Sequence, residues 1–359
     1  MSQTQPPIVL FHYSHSPYSK KIIWALHLKG LPYHSVNVAP LLPRPDVEKF
    51  AHGYRKIPVM AIGADVYCDT KRMLQELEDR FPEPSLYPPR AGTTDKVDRG
   101  VTDVIAYWTD VSASIMPKLD RPFAIIKYFP ILPLILLQGK MFPLVGALIP
   151  WTSPLFSHPR LINDRAQLIG RQELNTSKAI AAQPFVKDQL LPHLHTIESQ
   201  LRDGRTWMLD TTVPGAADIH VAMELWFAEM LGQAATDGNS PGGARDIWNA
   251  AAFPLTFAWY ARFVKYTAER KVAVTKITGD EALELARAHP LREAKGATGL
   301  FKLGQRVAIV PDDYGKVPTR GALVKLDETE IVVRNEDGPV PVHIHFSKIG
   351  YVVTPEAKL

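Results

Sequence analysis

A chain of 359 residues is long for one domain, so two or three are expected, and 46% hydrophobic with 22% charged residues is the make-up of a soluble protein with a large core. A net charge of +4 over that length is too mild to mark a nucleic-acid or acidic partner, and one cysteine, Cys68, excludes an internal disulfide and fits a reducing compartment. The opening MSQTQPP lacks the basic and apolar segments of a secretory signal, and the closing Ala-Lys-Leu, a degenerate form of a peroxisomal tail, is read as chance, so the expected location is the cytoplasm.

The run Ile8-Val9-Leu10-Phe11 reads as a buried strand, followed by a polar turn over 12–16 and a helix opened by Pro17. Ser16 stands at the N-cap, where its hydroxyl either bonds the first amides or turns toward a ligand; the helix start itself favours an anion. A second strand over 35–38 makes a βαβ unit. A Pro-rich loop at 40–45 leads to a short helix from about Asp46. The run 56–62 is a strand with Pro58 near its start, so that end is an edge or something special. Gly63-Ala64-Asp65 turns into Val66-Tyr67, and Asp69-Thr70 caps a helix over 71–80 that stops before Phe81-Pro82.

Helical spacing continues over 95–114, with Val101, Val104, Ile105 and Trp108 on one face, and over 184–201. Gly215-Ala-Ala-Asp218 starts an apolar helix over 219–231. Between them, 122–151 is rich in apolar residues but is interrupted by Lys127, Gln138-Gly139-Lys140 and four prolines, so it does not supply the ~20 continuous apolar residues of a spanning helix. Core helices are the first reading of this stretch; an acceptor pocket, a subunit interface and a membrane-surface contact follow in that order. From about Gly299 the pattern alternates: 306–310, 322–326, 330–334, 340–346 and 351–353 are short strands separated by Gly and Asp turns, suggesting a small SH3-like barrel. Residues 297–359 hold five Lys and three Arg against four Asp and four Glu, a balance that argues against nucleic acid.

Ser16-Pro17-Tyr18, Ile57-Pro58, Asp69-Thr70 and Leu86-Tyr87-Pro88, in that order and spacing, resemble the thioredoxin-like N-terminal domain of glutathione transferases. Arg44-Pro45-Asp46 and the segment 53–58 make the chain most similar to fungal glutathione-transferase-like proteins, a subgroup that carries a C-terminal barrel. The resemblance implies a thioredoxin-like glutathione-binding domain over 1–90, an all-helical domain over 91–296 holding the acceptor site and interface, and the barrel over 297–359. At Gly215 the family usually has Ser or Thr, while Asp218 keeps the acidic half of its capping box.

The resemblance also implies that the reactive sulfur belongs to glutathione. A thiol of pKa near ~8.5 is mostly protonated at neutral pH, and a hydrogen bond plus a helix terminus would make thiolate its main form. Ser16 is the catalytic candidate, with Ser14 next and Tyr13 and Ser19 behind it; Ser rather than Cys here argues against thioltransferase chemistry. Ile57-Pro58 matches the family's cis-proline step, whose backbone pairs with the cysteinyl part of glutathione. Asp69-Thr70 stands where relatives hold the γ-glutamyl end, and Lys56, with Lys20 or Lys21, is a candidate for glutathione's carboxylates. Tyr13, Tyr18 and Trp108 are acceptor-site candidates. Two His-x-His pairs occur, His193/His195 and His343/His345; the second shares a strand face, but no third ligand is evident, and no metal is expected. The expected activity is glutathione transfer to a small hydrophobic electrophile in fungal secondary metabolism. Glutathione-dependent cis–trans isomerisation is its rival, a non-catalytic binding or scaffold protein the alternative from another class, and a homodimer the expected assembly.

Overall fold

The computed structural model describes residues 6–95, 97, 99–110, 141–235, 243–289, 291–293, 296 and 301–356. The first elements follow the expected order. Strand β1 (Ile8–His12) leads to helix α1 (Pro17–Lys29), which begins at the Ser16 N-cap and ends where Gly30 turns left-handed at φ 64°. Strand β2 (Tyr33–Asn37), the short helix α2 (Pro45–Glu48), strands β3 (Val59–Ile62) and β4 (Asp65–Cys68) and helix α3 (Thr70–Arg80) complete the set. Next come α4 (Arg99–Thr109), α5 (Met141–Ala147), α6 (Pro159–Leu168), α7 (Thr176–Gln200), α8 (Ala216–Ala234) and α9 (Pro254–Glu269). A short strand β5 (Val274–Lys276) and helix α10 (Gly279–Arg287) precede β6 (Arg306–Pro311), β7 (Thr319–Leu326), β8 (Glu330–Asn335), β9 (Val342–Ser347) and β10 (Tyr351–Pro355).

Contacts divide the chain into two compact units: one of Met1–Ser85, Asp164–Gln172 and Thr267–Leu359, the other of Leu86–Asn163 and Glu173–Tyr266. The sequence suggested boundaries near 90 and 296 and a small C-terminal barrel that packs onto its own chain. In the structure the C-terminal strands are antiparallel neighbours of one another, and they extend the N-terminal sheet, in the order β10-β6-β7-β8-β9-β4-β3-β1-β2-β5. The joint is a parallel pairing of β9 with β4, in which Asp65 faces His343 and Tyr67 faces His345. At the other edge β5 pairs in parallel with β2. Helix α10 is opened by a Thr278/Glu281 capping box and buries Ala282, Leu283 and Ala286 in the N-terminal core, so the residues after 266 serve the first unit. One apolar cluster spans the sheet, from Val9 and Phe11 through Val66 and Cys68 to Ile344, Phe346 and Tyr351. That continuity is why β6–β10 need no closed core of their own.

In the second unit α8 is buried along most of its length. Its start is held by Asp218, whose Oδ2 accepts from the Gly215 amide (3.0 Å) and whose Oδ1 accepts from the Met208 amide and the Trp259 indole (both 2.9 Å). Burial pushes the Asp218 carboxyl up to about 6, against those donors. Gly215 departs from the expected Ser or Thr because a β-carbon there would sit 2.6 Å from the Leu86 carbonyl oxygen and 2.7 Å from the Pro88 ring. The expected apolar face of α4 is buried only in part: Val101 and Val104 are 42% and 67% exposed and Ile105 and Trp108 are half-buried, while Thr102, Ala106 and Thr109 are buried. Helix α4 packs against α8. Helix α7 starts before the expected residue 184, at the Asn175 cap, and runs through Pro184 and Pro192. Of the apolar segment 122–151, residues 122–140 lie outside the described residues; beyond them α5 buries Met141, Leu144 and Val145, and Phe142 stacks on Phe227 at 5.6 Å. No helix among the described residues is long and apolar enough to cross a membrane.

Candidate functional site

Register brings the sequence candidates together. Phe11 of β1 pairs with Val59 of β3, and Val59 pairs with Cys68 of β4. The segments that leave those positions, 13–16, 57–58 and 69–70, therefore lie at one end of three adjacent strands. Helices α1 and α3 both begin there, so two positive helix ends share that side of the sheet.

Ser16 is 3% exposed, and its Oγ accepts from the Ser19 amide at 3.2 Å, the N-cap bond its sequence position suggested. The hydroxyl proton is still free to be donated, since the cap uses only a lone pair. Ser14 is exposed, with its Oγ 3.1 Å from His15 Nδ1. Ser19 Oγ is buried with no hydrogen-bond partner. His12 turns its Nε2 to Ser35 Oγ (2.8 Å), and burial lowers its pKa, so it is neutral at pH 7. Lys20 and Lys21 lie over the rings of Trp24 (5.3 Å) and Tyr18 (5.1 Å), and Lys21 is buried.

The Ile57–Pro58 bond is cis, and Ile57 is half-buried. The loop before it is fastened by Arg44, whose guanidinium donates to the carbonyls of Ala39 (2.7 Å), Arg55 (2.5 Å) and Pro40 (2.8 Å). Arg55 in turn donates to Asp164 Oδ1 at 2.9 Å. Lys56 is engaged by the loop between β6 and β7: Nζ donates to Asp313 Oδ1 at 2.5 Å and sits 4.6 Å from the centre of the Tyr314 ring. Sequence reasoning could not see that partner, 257 positions away.

Asp69 is an N-cap at φ 81°, a left-handed backbone uncommon for a residue with a side chain, and its Oδ1 accepts from the Lys71 amide at 2.8 Å. Thr70 is buried as the first residue of α3. Cys68 belongs to the core, where burial pushes its thiol up and makes it a poor nucleophile. Nearby, the Tyr54 and Tyr351 hydroxyls meet at 3.1 Å. Tyr13 packs half-buried against the same core, and Tyr18 is half-buried. Trp108, in the other unit, spends its indole N–H on His193 Nδ1 at 2.7 Å.

Sequence reasoning missed a second polar centre, at the opposite end of β4. Asp65, His343 and His345 are buried together under α3, and Asp65 is the third group the His343/His345 pair lacked. Arg72, Glu76 and Arg80 of α3 join them: Arg72 pairs with Glu76 (2.6 Å) and Glu330 (3.2 Å), and Arg80 with Glu76 (2.8 Å) and Asp65 (3.7 Å). Burial alone would raise the Asp65 carboxyl; His343, His345 and Arg80 overrule it and hold the group well below the usual carboxylate range. The spacing of Arg72, Glu76 and Arg80 at i, i+4, i+8 was the available signal. It looks like an ordinary solvated helix face, and only the docking of β9 buries it.

Residues 10–85 match the family described as glutathione S-transferase, N-terminal domain, and residues 145–272 match a domain of unknown function, DUF7962. No curated protein matches the chain. Among solved structures, a GST-like protein from Pseudomonas syringae is similar over 97% of this chain and 99% of its own, at 24% identity and a TM-score of 0.65. A glutathione S-transferase from Rhodospirillum rubrum is 20% identical over 71% of this chain and 86% of its own, with a TM-score of 0.43. A rice glutathione S-transferase in complex with glutathione is 16% identical over 79% of this chain and 96% of its own, with a TM-score of 0.45. Residues 10–85 thus match a glutathione S-transferase N-terminal domain, and the chain shares the fold of the bacterial GST-like protein. The match to the bacterial structure takes in the C-terminal strands, so they are not confined to a fungal subgroup.

Proposed function

We propose that this protein binds glutathione at the shared end of β1, β3 and β4 and holds its sulfur as thiolate for addition to a small hydrophobic electrophile. The observation that carries this reading is the convergence of two helix starts, capped by Ser16 and Asp69, on the strand end where Ile57 precedes Pro58. An anionic sulfur is favoured beside such helix starts, and the Ser16 hydroxyl has a proton to give it. The Ile57 backbone would pair with the cysteinyl part of glutathione, and Asp69-Thr70 would meet its γ-glutamyl end. Glutathione-dependent isomerisation needs the same thiolate and is the alternative chemistry. The sequence resemblance adds a cytoplasmic homodimer acting in fungal secondary metabolism.

A non-catalytic binder is the second reading, and two observations favour it. Lys56 is tied to Asp313 rather than left for a carboxylate of glutathione, and Ser16 is 3% exposed within its own cap. Calorimetry separates the readings. Glutathione is titrated at neutral pH in two buffers of different ionisation enthalpy, with wild type, Ser16→Ala and Asp69→Ala. Proton release on binding, lost in Ser16→Ala, supports the enzyme. Binding without proton release supports the binder, and no binding at millimolar glutathione sinks the transferase and isomerase readings together and leaves a scaffold.

A further inference from the structure

The buried centre at the start of β4 has the geometry of a metal site. Parallel pairing of β4 with β9 sets Asp65 opposite His343 and Tyr67 opposite His345, so one face of the sheet presents a carboxylate and two imidazoles side by side. His345 Nε2 is 3.4 Å from Asp65 Oδ1, and His343 Nδ1 is 3.7 Å from the same oxygen. All three donor atoms lie within 4.8 Å of one another. These separations are long for hydrogen bonds, which cluster near ~2.9 Å. They are close to the spacing around a small dication: two ligands each ~2.0–2.1 Å from zinc at a tetrahedral angle are roughly 3.3 Å apart.

An independent observation points the same way. His343 is 6% exposed, yet its Nδ1, turned toward Asp65 Oδ1, has no hydrogen-bond partner. A buried imidazole nitrogen left in that state is costly unless something else takes its lone pair. The surrounding groups also hold the outer atoms of the ligands. His345 turns its Nδ1 to Glu330 Oε2 at 3.2 Å, the carboxylate–histidine arrangement that orients metal-bound imidazoles. Glu330 is itself held by Lys325 (2.7 Å) and Arg72 (3.2 Å). The other oxygen of Asp65 faces Arg80 at 3.7 Å, leaving Oδ1 to the two histidines. Tyr67 stacks on the His345 ring at 4.6 Å and fixes its plane.

We propose that Asp65, His343 and His345 bind one divalent first-row transition ion, of which zinc is the model, and that the ion pins β9 to β4. Two imidazoles and one carboxylate suit such an ion and do not suit magnesium or calcium, which take oxygen ligands. The three donors leave a fourth position for water. The rival occupant is a proton, which would make His345 an imidazolium between Asp65 and Glu330.

Cobalt(II) separates the two. The full chain is stripped with a chelator and titrated with cobalt(II), read by its visible ligand-field absorption and by metal analysis after gel filtration. The expected result is one tightly bound ion per chain with a four-coordinate spectrum, displaced by zinc. Glu330→Gln should weaken binding roughly 10–100-fold, as loss of an outer partner does, and His343→Ala by more. His195→Ala, an exposed member of the other His-x-His pair, should leave it unchanged. If His343→Ala does not fold, the wild type still decides: its melting temperature should rise when the stripped chain takes up zinc. A stripped chain that stays folded and binds no cobalt(II), or binding unaffected by His343→Ala, overturns the proposal in favour of the proton.

Discussion

Strand β4 is four residues long, and its two ends are built in opposite ways. At its far end Asp69 caps α3 with a bond to Lys71, two positions on, so the cap itself is local. At its near end Asp65 meets His345, 280 positions away, and the burial of Arg72 and Glu76 depends on that distant strand. Both ends carry an aspartate. One is a half-exposed cap whose loss costs a helix its start; the other is a buried charge held by Arg80 and two histidines. The difference is that a cap is a property of a segment, whereas a buried ion-pair layer is a property of the whole unit.

The comparison is broken most forcefully at the buried end. Arg72→Met leaves Glu76 and Glu330 each short of a cation in a buried layer, and breaking such a pair costs about 3–5 kcal/mol. Urea unfolding should show that loss, and a change below ~1 kcal/mol would mean water reaches the layer.

Asp218 in the helical unit sharpens the comparison, because it is a carboxyl group buried with N–H donors and, among the described residues, no cation paired with it. Its folded pKa is raised to about 6. Between pH ~4 and 6 the folded state therefore holds a proton that the unfolded chain has lost. The stability this gives is complete below pH ~4 and is lost as pH rises through 6, by ~3 kcal/mol for a shift of about two units. Asn cannot titrate, so the advantage of wild type over Asp218→Asn in urea midpoints should shrink from pH 4 to 7. An advantage that stays constant or grows sinks this account.

The smallest effect belongs to the local end. Asp69→Ala removes the cap of α3 and keeps a side chain at φ 81°, for ~1–2 kcal/mol. Asp69→Gly also removes the carboxylate but accepts that backbone freely, so it should cost less than Asp69→Ala by roughly 1 kcal/mol. Equal losses would show that the backbone strain is not felt.

What the sequence made legible follows the same division. The helix starts at Ser16-Pro17 and Asp69-Thr70 and the bond between Gly215 and Asp218 each span three residues or fewer and stand where the local pattern placed them, while the cis Ile57–Pro58 bond was an expectation of the family resemblance. The alternating strands after residue 305 were equally plain, but their docking on β4 was not, since a period of two says which residues share a face and not which edge they meet. The apolar stripe of α4 was legible only in part: Ile105 and Trp108 are half-buried as its period suggests, but Thr102 and Ala106 are buried in preference to the more hydrophobic Val101 and Val104. The Thr278/Glu281 box was readable and went unread, hidden in a stretch expected to continue the helical domain.

The parallel joint of β4 to β9 also sets an order of events during synthesis. At ~5–20 residues per second, the ribosome needs on the order of tens of seconds to pass from Asp65 to His345. Until then one edge of the nascent sheet lacks its neighbour, and an open edge invites pairing with other chains. On one face of that edge the waiting side chains are Asp65 and Tyr67 on the strand and Arg72, Glu76 and Arg80 on the helix, mostly groups content in water, while Val66 and Cys68 wait on the apolar face. A second apolar layer in place of the charged one would bind β9 as well once it arrived, but would widen the adhesive surface for as long as it was missing. Charge on one face of this joint halves what the first part of the chain must hide while it waits for the last.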